Sequence, residues 1–211
     1  MLIRETPLFI DGPCGQLEAL QLDVADARGI VLICHPNPVQ GGTMLNKVVS
    51  TLQRTARDAG YSTLRFNYRG VGQSAGSHDM GAGEVQDAEA VAAWVRANHP
   101  QLPLVLMGFS FGGFVAASLA GRLEAQGETL QQLFMVAPAV MRLNDDFPLP
   151  QRCTLTVIQP DADEVVDPQL VYEWSDSLSR PHELLKVAEC GHFFHGKLTD
   201  LKDLVLPRLS N

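Results

Sequence analysis

The residues of this chain whose types and spacing suit chemistry are a serine framed by glycines, a cluster of aspartates and two late histidines. Gly108-Phe109-Ser110-Phe111-Gly112 follows the apolar run Leu104-Val105-Leu106-Met107 and precedes a run of small residues with helical character, 115–120. G-x-S-x-G between a strand and a helix marks a turn so tight that the serine backbone is strained and its hydroxyl projects above a sheet. Side chains two residues either side of the serine would collide there, and Gly108 and Gly112 remove the collision. Ser110 is therefore the expected nucleophile, with a helix N-terminus beneath it.

A serine hydroxyl becomes reactive when a histidine takes its proton and a carboxylate fixes the imidazole tautomer. After the apolar run 154–158 come Asp161, Asp163 and Asp167, any one of which a solvated turn would also explain. Asp163 is preferred because it leads into Val165 and Val166, which can anchor its loop. Cys190-Gly191-His192-Phe193-Phe194-His195-Gly196 supplies the histidines. Gly191 lets the chain turn abruptly and puts His192 at the apex, whereas His195 lies nearer the start of a final helix, so His192 is the expected base. An oxyanion needs two N–H donors near the serine. One is expected from Phe111. The other is expected from His35-Pro36-Asn37-Pro38, where the prolines have no N–H and Asn37 holds the only main-chain donor between them. His35 is read as a brace for this loop.

The elements that must position these groups alternate along the chain. Residues 16–24, 30–34, 62–67, 104–107, 133–137, 154–159 and 184–187 read as strands. Residues 46–59, 83–98, 111–125, 168–178 and 195–209 read as helices. This alternation predicts an α/β fold, a mostly parallel twisted sheet with helices on both faces. Between the strands near 137 and 154 only about a dozen residues remain, too few for a separate helical cap.

The 211 residues suit one domain, 1–211, with a sizeable core. The net charge is −8, from 16 basic and 24 acidic residues, which disfavours nucleic acid and supplies no basic patch for a membrane surface. The N-terminal segment lacks the long apolar stretch of a signal peptide, and no run is long enough to span a membrane, so a cytoplasmic protein is expected. Cys14, Cys34, Cys153 and Cys190 include no C-x-x-C pair, so they are read as reduced cysteines in or near strands rather than metal ligands or nucleophiles. Gly70-x-Gly72-x-x-Ala75 superficially fits a dinucleotide fingerprint, but no clean helix starts there and it lies on the second β–α loop. Arg69 and His78 are read as surface or bracing residues in preference to substrate contacts. Phe109, Phe111, Met141 and Phe193 suit an apolar lining or the core equally.

Several ordered segments together resemble the small, capless α/β-hydrolases of bacteria. They are His35-Pro36-Asn37-Pro38 with Gly41-Gly42-Thr43-Met44 and Asn46-Lys47-Val48-Val49, Phe66 through Ser74, the serine turn, Asp161 through Val166, and His192 through Gly196. In that family the acid matches Asp163 and the histidine His192, and the order Ser110, Asp163, His192 is the family's own. Two departures bear on the acid loop: Pro160 stands where glycine is usual and Asp167 where proline is common. The resemblance implies a serine hydrolase acting on small-molecule esters or thioesters through an acyl-enzyme, with no metal or organic cofactor. The same triad serves acyl transfer and peptide cleavage, and a binding protein on this scaffold would keep the fold without turnover.

Overall fold

The computed structural model describes residues 4–144, 146 and 148–210; residues 1–3, part of the N-terminal segment read above, lie outside them. Eight strands form one sheet: β1 (Thr6–Gly12), β2 (Gly15–Leu22), β3 (Ile30–Cys34), β4 (Ser62–Phe66), β5 (Leu104–Phe109), β6 (Gln132–Val136), β7 (Thr154–Pro160) and β8 (Glu183–Val187). Among the described residues five helices accompany them: α1 (Lys47–Asp58), α2 (Ala82–Asn98), α3 (Phe111–Ala125), α4 (Pro168–Ser177) and α5 (Leu198–Ser210). The strand order is β1-β2-β4-β3-β5-β6-β7-β8. β2 runs antiparallel to both β1 and β4, and all later pairings are parallel.

Alternation along each strand divides the core. Val31, Ile33, Val105 and Met107 face α1 and α5, packing against Val49, Leu52, Leu201 and Val205. Leu32, Leu64 and Leu106 face the other way, against Val91, Val95, Val115 and Leu119 of α2 and α3. β3 and β5 are buried along their whole length, which is why they read as unbroken apolar runs. α1 is capped by Asn46, whose side chain accepts from the Val48 N–H at 2.8 Å, and its chain turns at Gly60 with φ 85°.

Three differences from the sequence reading have physical causes. β1 went unread; it is an edge strand paired only with β2 through a turn at Gly12 and Gly15, and most of its side chains are not buried. α5 begins at Leu198 and not at 195, because Phe194 and Gly196 take positive φ values of 53° and 73° that no helix admits. The connector from β6 to β7 carries one short 3-10 turn, Val140–Arg142, among the described residues.

The paired ends of β3 and β4 are tied by a buried histidine. The His35 Nδ1–H donates to the Pro36 carbonyl at 2.7 Å, Nε2 accepts the Tyr68 N–H at 3.2 Å, and the Tyr68 hydroxyl donates to the His35 carbonyl at 3.1 Å. Both ring nitrogens are used in the neutral form. Burial pushes the imidazole down to about 3, against the Pro36 carbonyl, which favours the protonated ring, and with His78, which opposes it. The unfolded chain would take up this proton near the ordinary value of 6.5. Stability should therefore fall as pH drops below 6.5 toward 3, with a contribution of about 1.4 kcal/mol per pH unit from this group. Urea unfolding should show the wild type losing about 2 kcal/mol from this group between pH 7 and pH 5. His35→Gln should be less stable at pH 7 but flatter with pH; parallel curves would remove His35 from the account.

Glycines fix the closest approaches. A Cβ at Gly112 would run into the Cys34 carbonyl, backbone against backbone, so α3 can sit this near β3 only without a side chain. Gly112→Ala should cost about 3 kcal/mol or more of unfolding free energy. Gly127→Ala, at φ 86° with no neighbour within 4 Å, should cost about 1 kcal/mol, measured as the shift in urea midpoint.

Candidate active site

β5 ends at Phe109, and the next residue, Ser110, takes φ 57° and ψ −119° before α3 begins at Phe111. Such a conformation costs a serine about 1–3 kcal/mol and survives only if its surroundings hold it. The Ser110 N–H donates to the Val136 carbonyl at 2.8 Å, and its carbonyl accepts from Gly113 at 2.9 Å and Ala139 at 3.1 Å. A Cβ at Gly108 would collide with the Gly112 carbonyl. The turn is thus closed by the end of β6 on one side and by its own glycines on the other.

His192 and Asp163 arrive from the next two strands. Ser110 Oγ lies 2.9 Å from His192 Nε2, and His192 Nδ1 lies 2.8 Å from Asp163 Oδ2. All three residues are buried. With Nδ1–H directed at the carboxylate, Nε2 is free to accept the serine proton. Asp163 Oδ1 accepts the N–H groups of Val165 at 2.9 Å and Val166 at 2.7 Å, and Gln159 Nε2 donates to Oδ2 at 3.2 Å. Burial alone would raise this carboxyl, but the His192 ring and the two N–H groups outweigh it and hold Asp163 below the usual carboxylate range. The other aspartates do different work. Asp161 is exposed, and Asp167 caps α4 by accepting the Gln169 N–H at 2.9 Å ahead of Pro168, which accounts for the departure at that position.

The acid and histidine loops are stitched together. Asp161 N–H donates to the Val187 carbonyl and Ala162 N–H to the Cys190 carbonyl, both at 3.0 Å. Glu164 Oε2 accepts the His192 N–H at 3.0 Å, a contact that holds Glu164 below its ordinary range. A Cβ at Gly191 would lie 2.8 Å from that same oxygen. Neither Glu164 nor Gln159 was singled out in the sequence; the only signal for Glu164 was a carboxylate beside the acid and a glycine before the histidine. The His192 ring packs between Phe109 and Phe193, each with its centroid 5.0 Å away. His195 lies outside this arrangement, exposed, with its ring 6.1 Å from Phe193. Cys190 is buried, its thiol pushed up to about 11 chiefly by burial, and is no nucleophile at neutral pH.

On the other flank, the loop after β3 runs through Asn37 into a 3-10 turn, Pro38–Gln40. Asn37 Oδ1 accepts the Val39 N–H at 3.0 Å, and its carbonyl accepts from Gln40 and Gly42. The N–H groups of Asn37 and Phe111 donate to nothing among the described residues. A cavity of about 40 Å³ is lined by Ser110, His192, Asn37, Gly42 and Phe193, among others. Of the four apolar residues considered for a lining, Phe109 and Phe111 belong to the core, and Met141 and Phe193 are exposed.

The loop after β4 is a brace. Arg69 and Asp87 form a buried ion pair at 2.8 Å, and His78 Nδ1 lies 2.7 Å from Glu84 Oε1. Gly70 and Gly72 turn the chain at φ 73° and 56° around the Glu18 carboxylate, which accepts from Asn67 and Gln73. A loop wrapped on a carboxylate of β2 would repel a phosphate, so the glycine pattern is a bracing turn. Among the described residues no cluster of three histidine, cysteine or acidic side chains could hold a metal, and no helix is long and apolar enough to cross a membrane.

Residues 25–199 match the family described as serine aminopeptidase, S33. An α/β serine hydrolase without a lid from Xanthomonas campestris superposes with a TM-score of 0.88 at 40% identity, covering 99% of this chain and 94% of that one. An uncharacterised protein of Rickettsia prowazekii is 30% identical over 208 residues, 94% of this chain and 86% of its own length. A lysophosphatidylserine lipase of Xenopus tropicalis is 30% identical over 135 residues, 62% of this chain but only 33% of the lipase. With that fold and that family match, the chain belongs to the capless α/β serine hydrolases.

Proposed function

We propose that the protein cleaves carboxylic esters or thioesters, with Ser110 as nucleophile, His192 as general base and acid, and Asp163 as the group that orients and charges-balances the imidazole. The observation that carries this reading is the continuous hydrogen-bonded chain from Ser110 Oγ through His192 to Asp163, at 2.9 and 2.8 Å. As Oγ attacks the acyl carbon, its proton passes to His192 Nε2. The imidazolium that forms faces an ionised Asp163, whose low proton affinity keeps it from accepting the proton. The carbonyl oxygen gains charge in this step. The N–H groups of Asn37 and Phe111, which have no other acceptor among the described residues, are the donors assigned to it. His192 then protonates the leaving oxygen or sulfur as the bond to the acyl carbon breaks. Water, deprotonated by the same nitrogen, attacks the acyl-enzyme and restores Ser110.

The small cavity at the serine, about 40 Å³, supports a short acyl group. Hydrolysis of 4-nitrophenyl esters should be fastest with acetyl to butyryl chains, and a sharp preference for long chains would contradict this. Ser110→Ala should lower kcat by about a millionfold and abolish fluorophosphonate labelling. Asp163→Asn should lower kcat by about 10⁴-fold, whereas Asp161→Asn should change it by no more than about twofold. Equal losses in the two aspartate variants would put the acid elsewhere.

A further inference from the structure

A second cavity, about 320 Å³, opens beside the serine and shares Gly41, Asn46 and Phe193 with the smaller one. Lys47 and His195, which do not line the smaller cavity, line this one. The chain has a net charge of −8, yet among the described residues no acidic side chain lines either cavity. Lysines and arginines elsewhere, such as Arg65, Arg69, Arg122 and Lys202, pair with carboxylates. Lys47 forms no ion pair among the described residues. An exposed ammonium with no internal partner costs little to keep and is free to take a counter-charge from outside. His195 is a second residue with a nitrogen-bearing side chain in the same lining.

The cavity's place relative to the chemistry says which part of a substrate would reach it. The leaving group must approach His192 Nε2, which hands it a proton, and Phe193, the next residue along the chain, lines both cavities. We propose that this cavity, with Lys47 and His195, is a subsite for an anionic group, carboxylate or phosphate, carried on the leaving alcohol of the ester. The proposal rests on the reading of Ser110 as the nucleophile. It gives the small cavity the acyl group and the large one the charged alcohol.

Two acetate esters of nearly equal leaving-group acidity test it: 4-acetoxyphenylacetate and its neutral amide, 4-acetoxyphenylacetamide. The wild type should favour the anion in kcat/KM, and Lys47→Met should cut the anion-to-neutral ratio about fivefold. Lys202→Met, which removes a distant exposed charge, should leave the ratio unchanged. Monophenyl succinate and phenyl butyrate form the matched pair with the charge on the acyl side, and no Lys47-dependent preference is expected between them. Hydrolysis of both acetates without preference for the anion, or a preference that survives Lys47→Met, overturns the subsite. A Lys47-dependent preference only for the succinate overturns its assignment to the leaving group. If neither acetate is hydrolysed and Ser110 resists fluorophosphonate, the esterase reading itself fails, a result distinct from the other two.

Discussion

A serine backbone at φ 57° and ψ −119° does not hold itself, and nearly everything around the site is arranged to hold this one. Its N–H and carbonyl are bound from the end of β6, by Val136 and Ala139, so the neighbouring strand is part of the turn. The helix that follows must start at once and lie close under the sheet, which Gly108, Gly112 and Gly113 permit by carrying no side chain against Gly112, Cys34 and Pro138. Strand order does the rest. β5 sits between β3 and β6, the chain having left β3 toward β4 on the opposite side. Loops that diverge at such a point leave a crevice at the carboxyl ends of the strands, and the Asn37 loop and the serine turn face each other across it.

Precision in the other two residues comes from backbone bonds more than from side-chain packing. β7 and β8 are paired to their ends, Pro160 opposite Val187, and two further backbone bonds continue that pairing into the loops that carry Asp163 and His192. Glu164 then fixes the histidine's own N–H, while Val165, Val166 and Gln159 saturate the aspartate. A carboxylate with donors on both oxygens has little freedom to rotate and little affinity for a proton. The imidazole between them is held in one orientation, and under the proposed function this leaves little to reorganise at the moment of reaction.

The parts legible in the sequence are those where one residue type admits one geometry. Ile30–Cys34 and Phe111–Ala125 were read to the residue because buried strands and small-residue helices leave unbroken patterns, and Gly108 and Gly112 mark a turn no larger residue could make. Parts whose cause is tertiary were not legible. β1 has one buried side chain and a pattern no stronger than a loop's. The late start of α5 depends on Phe194 being anchored in the core at positive φ, which a helical pattern conceals. In the sequence Arg69 and His78 read as surface or bracing residues, and only the fold decides for bracing, because nothing in a sequence reveals that Asp87 and Glu84 will be buried opposite them. Glu164 is exposed and acts on a backbone atom, so it leaves no side-chain partner to search for.

The absence of a lid changes what the rim must do. In a capped enzyme a moving segment expels water and strengthens every electrostatic term inside. Here Val39, Leu45, Met80, Met141, Val165 and Phe193 stand exposed on the loops that follow β3, β4, β6, β7 and β8. Apolar side chains left in water around an open serine gain most when a substrate covers them. Under the proposed function, the substrate therefore supplies the missing wall: its contact with this rim dries the His192 and Asn37 side of the cavity as it binds. The Asp163 charge is shielded beforehand by its own burial, so the protein keeps the aspartate and histidine dry and leaves the drying of the acyl carbon to the molecule it attacks.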